Sequence, residues 1–255
     1  MPSSLFDLTN KKAIVTGAGR GLGRALAVGL AQFGADVAVV ARTQSELEIT
    51  AREIEKQNRR ALIYPADVSK KADIEKIVSD VVAQWSRVDI LVNNAGVDAA
   101  KPALDYSEED WDFVLAVNLK GYFLFAQACA REMLKTGGGA IINNSSICGD
   151  VAIKNIVAYN ASKGGVNMLT RTLAVEWAQY NIRVNAFSPA YMEAFMPGAA
   201  SEHDEKKEQS IRDLTPLGRR GKPEELVGPV VFLASDASSY VTGEVLMVDG
   251  GWTAR

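Results

Sequence analysis

The chain is poor in the residues that build metal and redox centres. Its 255 residues include two cysteines, Cys129 and Cys148, and one histidine, His203. Two isolated cysteines form neither a disulfide framework nor a metal-ligand spacing, so no metal is expected. A single histidine argues against a multi-histidine site and against a serine–histidine hydrolase. It sits in the polar run Ser201-Glu202-His203-Asp204-Glu205-Lys206-Lys207, read as solvated surface. Excess positive charge is also missing. The formal net charge is −3, so no basic field points to nucleic acid or to an anionic membrane. No apolar run reaches the roughly eighteen residues of a membrane span, and none is expected. The N-terminus, Met1 to Asp7, lacks a basic stretch followed by an apolar block, which predicts no signal peptide. Together these absences predict a reduced, cytoplasmic protein whose partner is a small molecule.

What is present is alternation. Apolar content is 47 %, enough for one α/β domain over 1–255. Ala13-Ile14-Val15, Asp36 to Ala41, Ala61 to Ala66, Ile90-Leu91-Val92, a run starting at Ala140, Arg183 to Phe187 and Val245 to Val248 read as buried strands. Between them, Leu22, Leu26, Leu30 and Phe33 recur at helical spacing. Gln44 to about Asn58 reads as a polar helix, and Ile74, Ile77, Val78, Val81 and Trp85 mark another helix face. Repeated strand–helix–strand units predict a doubly wound (Rossmann) parallel sheet, seven-stranded, in the order 3-2-1-4-5-6-7. The least regular stretch, about Pro189 to Gly221, reads as an insertion. Within it 191–214 has an apolar part (Tyr191, Met192, Phe195, Met196) and a charged part, and is expected to be a substrate lid.

The first strand runs into Thr16-Gly17-Ala18-Gly19-Arg20-Gly21-Leu22-Gly23. Gly17 permits a tight turn, Gly21 lets the backbone approach a pyrophosphate, and Gly23 lets the following helix pack closely. The helix N-terminus then attracts the phosphates. An acidic residue ending the second strand would bind the ribose 2′-hydroxyl of NAD; this chain has Ala41-Arg42-Thr43 instead. Arg42, with Arg20 in the glycine loop, suits a 2′-phosphate, so NADP(H) is expected to be preferred, with NAD(H) as a secondary cofactor.

Ser107 and Asp110 form a helix-start pattern, after which Trp111, Val114, Leu115 and Asn118 fall on one face. A polar amide on an apolar face needs partners, whether structural or functional. Tyr159 and Lys163 are one turn apart on a second helix and project together. A tyrosine, normally near ~10, works better as an acid/base if a neighbouring ammonium lowers its pKa.

The order and spacing of these motifs resemble the short-chain dehydrogenase/reductase family over nearly the whole chain. They are Thr16-Gly17-x-x-x-Gly21-x-Gly23, Asp67-Val68, Asn93-Asn94-Ala95-Gly96, Asn118, Ser146, Tyr159-Asn160-Ala161-Ser162-Lys163, Asn185-x-x-x-Pro189 and Val248-Asp249-Gly250-Gly251. The resemblance implies Tyr159 as catalytic acid/base, Lys163 to lower its pKa and hold the nicotinamide ribose, and Ser146 to bond the substrate oxygen. Asn118 would keep a helix open locally and anchor a water leading to Lys163. Ser146 rather than Ser145 has the family's spacing from Tyr159. Cofactor contacts are implied for Gly17, Arg20, Gly21, Leu22, Arg42, Asp67, Val68, Asn94, Tyr159, Lys163, Pro189 and Met192. The chain departs from the family at Pro189-Ala190 and Ala194, where Gly and Thr are usual.

The resemblance implies an alcohol–ketone oxidoreductase and a homotetramer. The C-terminus is most similar to the sugar-acid members, gluconate 5-dehydrogenases and deoxygluconate dehydrogenases. A sugar, polyol or sugar acid is therefore the expected substrate. A 3-oxoacyl thioester reductase and a non-catalytic dinucleotide-binding regulator remain as alternatives.

Overall fold

The computed structural model describes residues 5–193 and 205–254. The apolar runs become strands β1 (Lys12–Thr16), β2 (Asp36–Ala41), β3 (Ala61–Pro65), β4 (Ile90–Asn93), β5 (Gly139–Asn144), β6 (Ile182–Pro189) and β7 (Val245–Val248). They form one sheet in the order β3-β2-β1-β4-β5-β6-β7, with every neighbouring pair parallel. The chain order reverses between β1 and β4, which opens a crevice at the carboxyl ends of these strands.

Alternate residues of each strand serve opposite faces. Ala13 and Val15 pack with α1 (Gly21–Gln32), α2 (Gln44–Glu55) and α8 (Val227–Ala234). Ile14, Leu91 and Ile141 pack on the other side with α3 (Lys71–Trp85), α5 (Gly121–Thr136) and α6 (Val157–Trp177). Both faces are covered, which is why these strands read as continuous apolar runs rather than as alternating ones.

Element ends differ from expectation by a few residues. α2 stops at Glu55, because Asn58 takes a left-handed conformation with φ 58°. β6 runs on to Pro189, since it is held by β5 on one side and β7 on the other.

α4 (Glu108–Leu115) starts as its sequence predicts. Ser107 Oγ accepts from Asp110 N at 3.1 Å. Helix continues through a π turn, Ala116–Lys120, into α5, closed by Gly121 N donating to Ala116 O. The expected face through Trp111 is corrected here. Trp111 is 36 % exposed, whereas Val114, Val117 and Asn118 are buried, so the inward face begins only at Val114, one turn into the helix. The helical stretch Glu108–Thr136 is long and apolar enough to cross a membrane by length and composition. Half of its most apolar window is buried, with Tyr122, Phe125, Cys129 and Met133 in the interior.

After β6, Met192 bridges Gly221, and α7 (Glu205–Leu214) seats Ile211 in the interior. Of the expected lid over 191–214, residues 194–204 lie outside the described part. They include Ala194, Phe195, Met196 and His203.

Candidate active site

The carboxyl ends of the central strands are joined by side-chain amides. Asn93 Nδ2 donates to Asn143 Oδ1 at 3.0 Å, and Asn143 Nδ2 to Thr170 Oγ1 at 2.9 Å. Asn144 Nδ2 donates to Asn94 Oδ1 at 2.9 Å, and Asn94 Nδ2 to Thr16 O at 3.0 Å. Thr16 Oγ1 accepts from Asn94 N at 2.9 Å and Ala95 N at 3.1 Å. β1, β4, β5 and α6 therefore meet the crevice in fixed register.

That crevice is a cleft of about 380 Å³. One end lies on the glycine turn. Gly17 has φ 65° and Gly21 φ 53°, a region that favours glycine. A Cβ on Gly17 would stand 2.8 Å from Ala95 Cα, and one on Gly23 only 2.1 Å from Gly17 O. α1 opens there with no side-chain cap and no acid in its first turn, so its leading amides face the cleft. A bare backbone and a helix N-terminus suit a pyrophosphate, so the residues present fit a dinucleotide.

At this end the lining includes Arg20, Leu22, Arg42, Asp67 and Val68, with both arginines exposed. Asp67 accepts from Ser69 N at 3.0 Å and Ser69 Oγ at 2.8 Å. Burial pushes its carboxyl up, but these bonds with the charges of Lys70 and Arg42 outweigh it, leaving the net value low. Glu46 lines the same end, and sequence reasoning missed it. Its place in the first turn of α2, directly after the Arg42 loop, was the signal available.

The other end holds Ser146, Tyr159, Lys163, Asn94, Pro189 and Met192. Ser145 turns away, donating to Asn167 Oδ1 at 2.5 Å. Ser146 Oγ accepts from Cys148 N at 3.2 Å and is a hydrogen-bond neighbour of the Tyr159 phenol. Lys163, 2 % exposed, donates from Nζ to Asn144 O at 2.6 Å. That ammonium lies 5.5 Å from the Tyr159 ring centre and 5.2 Å from that of Tyr122. Asn144 and Tyr122 were not singled out from sequence; the polar run Asn143-Asn144-Ser145-Ser146 after an apolar strand was the visible sign.

The expected lowering of the Tyr159 pKa is corrected by the structure. Burial pushes the phenol up from its ordinary value, helped by Cys148 and Asp98 and opposed only by the Ser146 hydrogen bond. The same burial pulls Lys163 down to about 7, so its full positive charge is not standing beside Tyr159 near neutrality.

Asn118 is fully buried in the π turn. Its Oδ1 accepts from Val97 N at 2.9 Å, and its Nδ2 donates to Val97 O at 2.9 Å and Ser162 Oγ at 3.2 Å. Ser162 Oγ donates in turn to Tyr159 O at 2.7 Å. The amide thus ties the loop after β4 to the turn of α6 that carries Tyr159. Among the described residues no cluster of His, Cys, Asp and Glu could hold a metal.

Comparison with known proteins agrees with this geometry. A family profile described as Enoyl-(Acyl carrier protein) reductase matches residues 17–253. The chain is 43 % identical to the 2-dehydro-3-deoxy-D-gluconate 5-dehydrogenase of Escherichia coli strain K12, covering 99 % of each chain. It is 41 % identical to an NAD-dependent glycerol dehydrogenase of Listeria innocua, covering 98 % of this chain and 96 % of that one. The crystal structure of a gluconate 5-dehydrogenase from Burkholderia cenocepacia J2315, in complex with NADP and tartrate, superimposes with a TM-score of 0.95 at 37 % identity over 100 % of both chains. With the fold, the dinucleotide cleft and relatives matched end to end, the chain belongs to the short-chain dehydrogenase/reductase family.

Proposed function

We propose that the protein interconverts a secondary alcohol and a ketone on a sugar, polyol or sugar acid, using a nicotinamide dinucleotide. The observation that carries this reading is that Ser146, Tyr159 and Lys163 converge at the inner end of the cleft, beyond the glycine turn. When bound, the dinucleotide supplies or accepts the hydride. The chain's own residues handle the oxygen and its proton. Ser146 Oγ holds the substrate oxygen beside the Tyr159 phenol. In the reduction direction the phenol, held neutral by burial, gives its proton to that oxygen. In oxidation the proton returns to it. Lys163 Nζ, poised near neutrality, takes up or releases a proton at working pH and contacts the nicotinamide ribose. Asn118 positions Tyr159 through Ser162. Its side-chain donors are spent, so its main chain is the part left to hold a water.

At the outer end we assign Gly17, Gly21 and Leu22 to the pyrophosphate, Asp67 and Val68 to the adenine, and Asn94, Pro189 and Met192 to the nicotinamide side. Arg20 and Arg42 favour NADP(H); Glu46, whose carboxylate lies against Gly19 at the same end, opposes a 2′-phosphate, so NAD(H) is retained as a weaker cofactor. The known relatives are divided in the same way, one bound to NADP and one NAD-dependent. The relatives' polyol and sugar-acid names, with a polar inner end, favour a hydroxylated substrate over an acyl thioester.

Exposed Phe123 and Met168, which line an apolar groove with Leu115, Leu119 and Leu169 of α4, the π turn and α6, support a subunit contact in a homotetramer. A cytoplasmic location fits two free, buried cysteines. The 191–214 segment is kept as a lid, anchored at Met192–Gly221 and at Ile211. The test of the activity is absorbance at the reduced-nicotinamide band with purified protein and a panel of polyols, aldonic acids and their ketones. Cofactor-dependent turnover supports the reading. Tight dinucleotide binding with no turnover on any member would replace it with the regulator alternative.

A further inference from the structure

We propose that Asp98 is the receptor for a hydroxyl of a neutral polyol and that it selects such substrates over aldonic acids. This rests on the alcohol dehydrogenase reading above and narrows its substrate class. Asp98 follows Val97, whose backbone Asn118 grips on both its N–H and C=O. Val97 lines the cleft, so the clamped loop sets Asp98 directly beside it. Asp98 is 8 % exposed, and its charge acts on the Tyr159 phenol, the Cys148 thiol and the Tyr106 phenol. One oxygen accepts from Ala99 N at 2.8 Å; the other has no hydrogen-bond partner among the described residues. The Tyr106 hydroxyl is buried without a partner. Burial holds the Asp98 carboxyl above its ordinary range, the mark of an anion short of donors.

A carboxylate so placed lacks what a substrate hydroxyl supplies. An O–H donated to it makes a charge-assisted hydrogen bond in a partly desolvated site. A substrate carboxylate there meets like charge instead, and the buried cations among the described residues nearby are committed, while Lys154 stands exposed on the loop before α6. Arg20 and Arg42 are at the far end of the cleft, and Lys163 is committed to Asn144 O. Lys101 is paired with Asp110. Arg220, over the Tyr191 ring, is held by Glu208 and Met192 O. Residues 194–204, outside the described part, contain no lysine or arginine.

The test compares kcat/KM for glycerol, threitol and xylitol with that for gluconate, using the full chain with NADP+ and with NAD+, in wild type and in Asp98→Asn and Asp98→Ser. Wild type is expected to favour at least one neutral polyol over gluconate by roughly tenfold or more. Both variants are expected to narrow that ratio by about tenfold, mainly through KM for the polyol, with dinucleotide affinity within about two-fold of wild type. A wild type that prefers gluconate overturns the inference. So does an unchanged ratio in the variants, or loss of dinucleotide binding in both variants, which would make Asp98 structural. No turnover of any alcohol or ketone by wild type would instead overturn the dehydrogenase reading itself.

Discussion

Lys163 offers the most quantitative test. Its ammonium is buried against one carbonyl, and its pKa falls from 10.5 in the unfolded chain to about 7 in the fold. Between those values the unfolded chain binds more protons than the folded one, so stability rises with pH. The penalty is fully present below about pH 7 and gone above about 10.5. Integrating the linkage for this one group predicts that wild type gains on the order of 3 kcal/mol between pH 6 and pH 9. Other titrating groups cancel when the Lys163→Met variant, which has no ionisable group at that position, serves as reference. The assay is urea unfolding of both proteins at pH 6 and 9 without cofactor, followed by tryptophan fluorescence. The difference in unfolding free energy between wild type and variant is expected to shift in favour of wild type at high pH by that amount. A difference that stays flat, within about 0.5 kcal/mol, would show that the folded lysine titrates like the unfolded one. The relay assigned to it would then lose its basis.

Tyr159→Phe removes only the phenolic hydroxyl. Turnover is expected to fall by ~10²–10⁴ while dinucleotide affinity, read by fluorescence quenching, stays within a few-fold; a variant keeping half the wild-type rate sinks the assignment. Arg42→Ala is expected to weaken NADPH by roughly ten- to hundred-fold and NADH little. Equal losses would make Arg42 a bystander. Glu46→Gln should act in the opposite sense, improving NADPH affinity several-fold relative to NADH in the same titration, and no change would remove Glu46 from cofactor selection. Gly29→Ala should destabilise the fold by about 1–3 kcal/mol, read by urea unfolding, with kcat unaffected. The reason is that its Cβ would stand 2.4 Å from Val227 Cγ1, and normal stability would mean the α1–α8 contact adapts freely.

The strands were legible because parallel strands buried on both faces leave unbroken apolar runs such as Val37 to Val40. The glycine turn was legible because Gly17 and Gly21 occupy conformations that favour glycine. Asn118 stood out as a polar residue on an apolar face, yet the π turn around it was not readable. A strict 3.6-residue period placed Trp111 inside, whereas the buried face begins only at Val114, one turn into the helix. The direction of the Tyr159 shift was also out of reach, because it depends first on how deeply the fold buries the phenol itself. Asp98 looked like an ordinary loop residue. Only its burial beside Tyr159, and the hold of Asn118 on its neighbour Val97, set it apart.

The amides that join Asn93 to Asn143 and Asn94 to Asn144 separate two kinds of tolerance to change. Apolar packing below them is indifferent to direction, so a methyl lost from the core subtracts stability and lets neighbours settle. Hydrogen bonds are directional, and a buried amide put in the wrong place leaves orphaned partners on two strands at once. The working edge of the sheet is thus calibrated by angle and the remainder by volume. Variation in the core would drift the melting temperature of such a protein while leaving its chemistry in place. Variation along the amide row would spoil alignment first, long before the molecule ceased to fold.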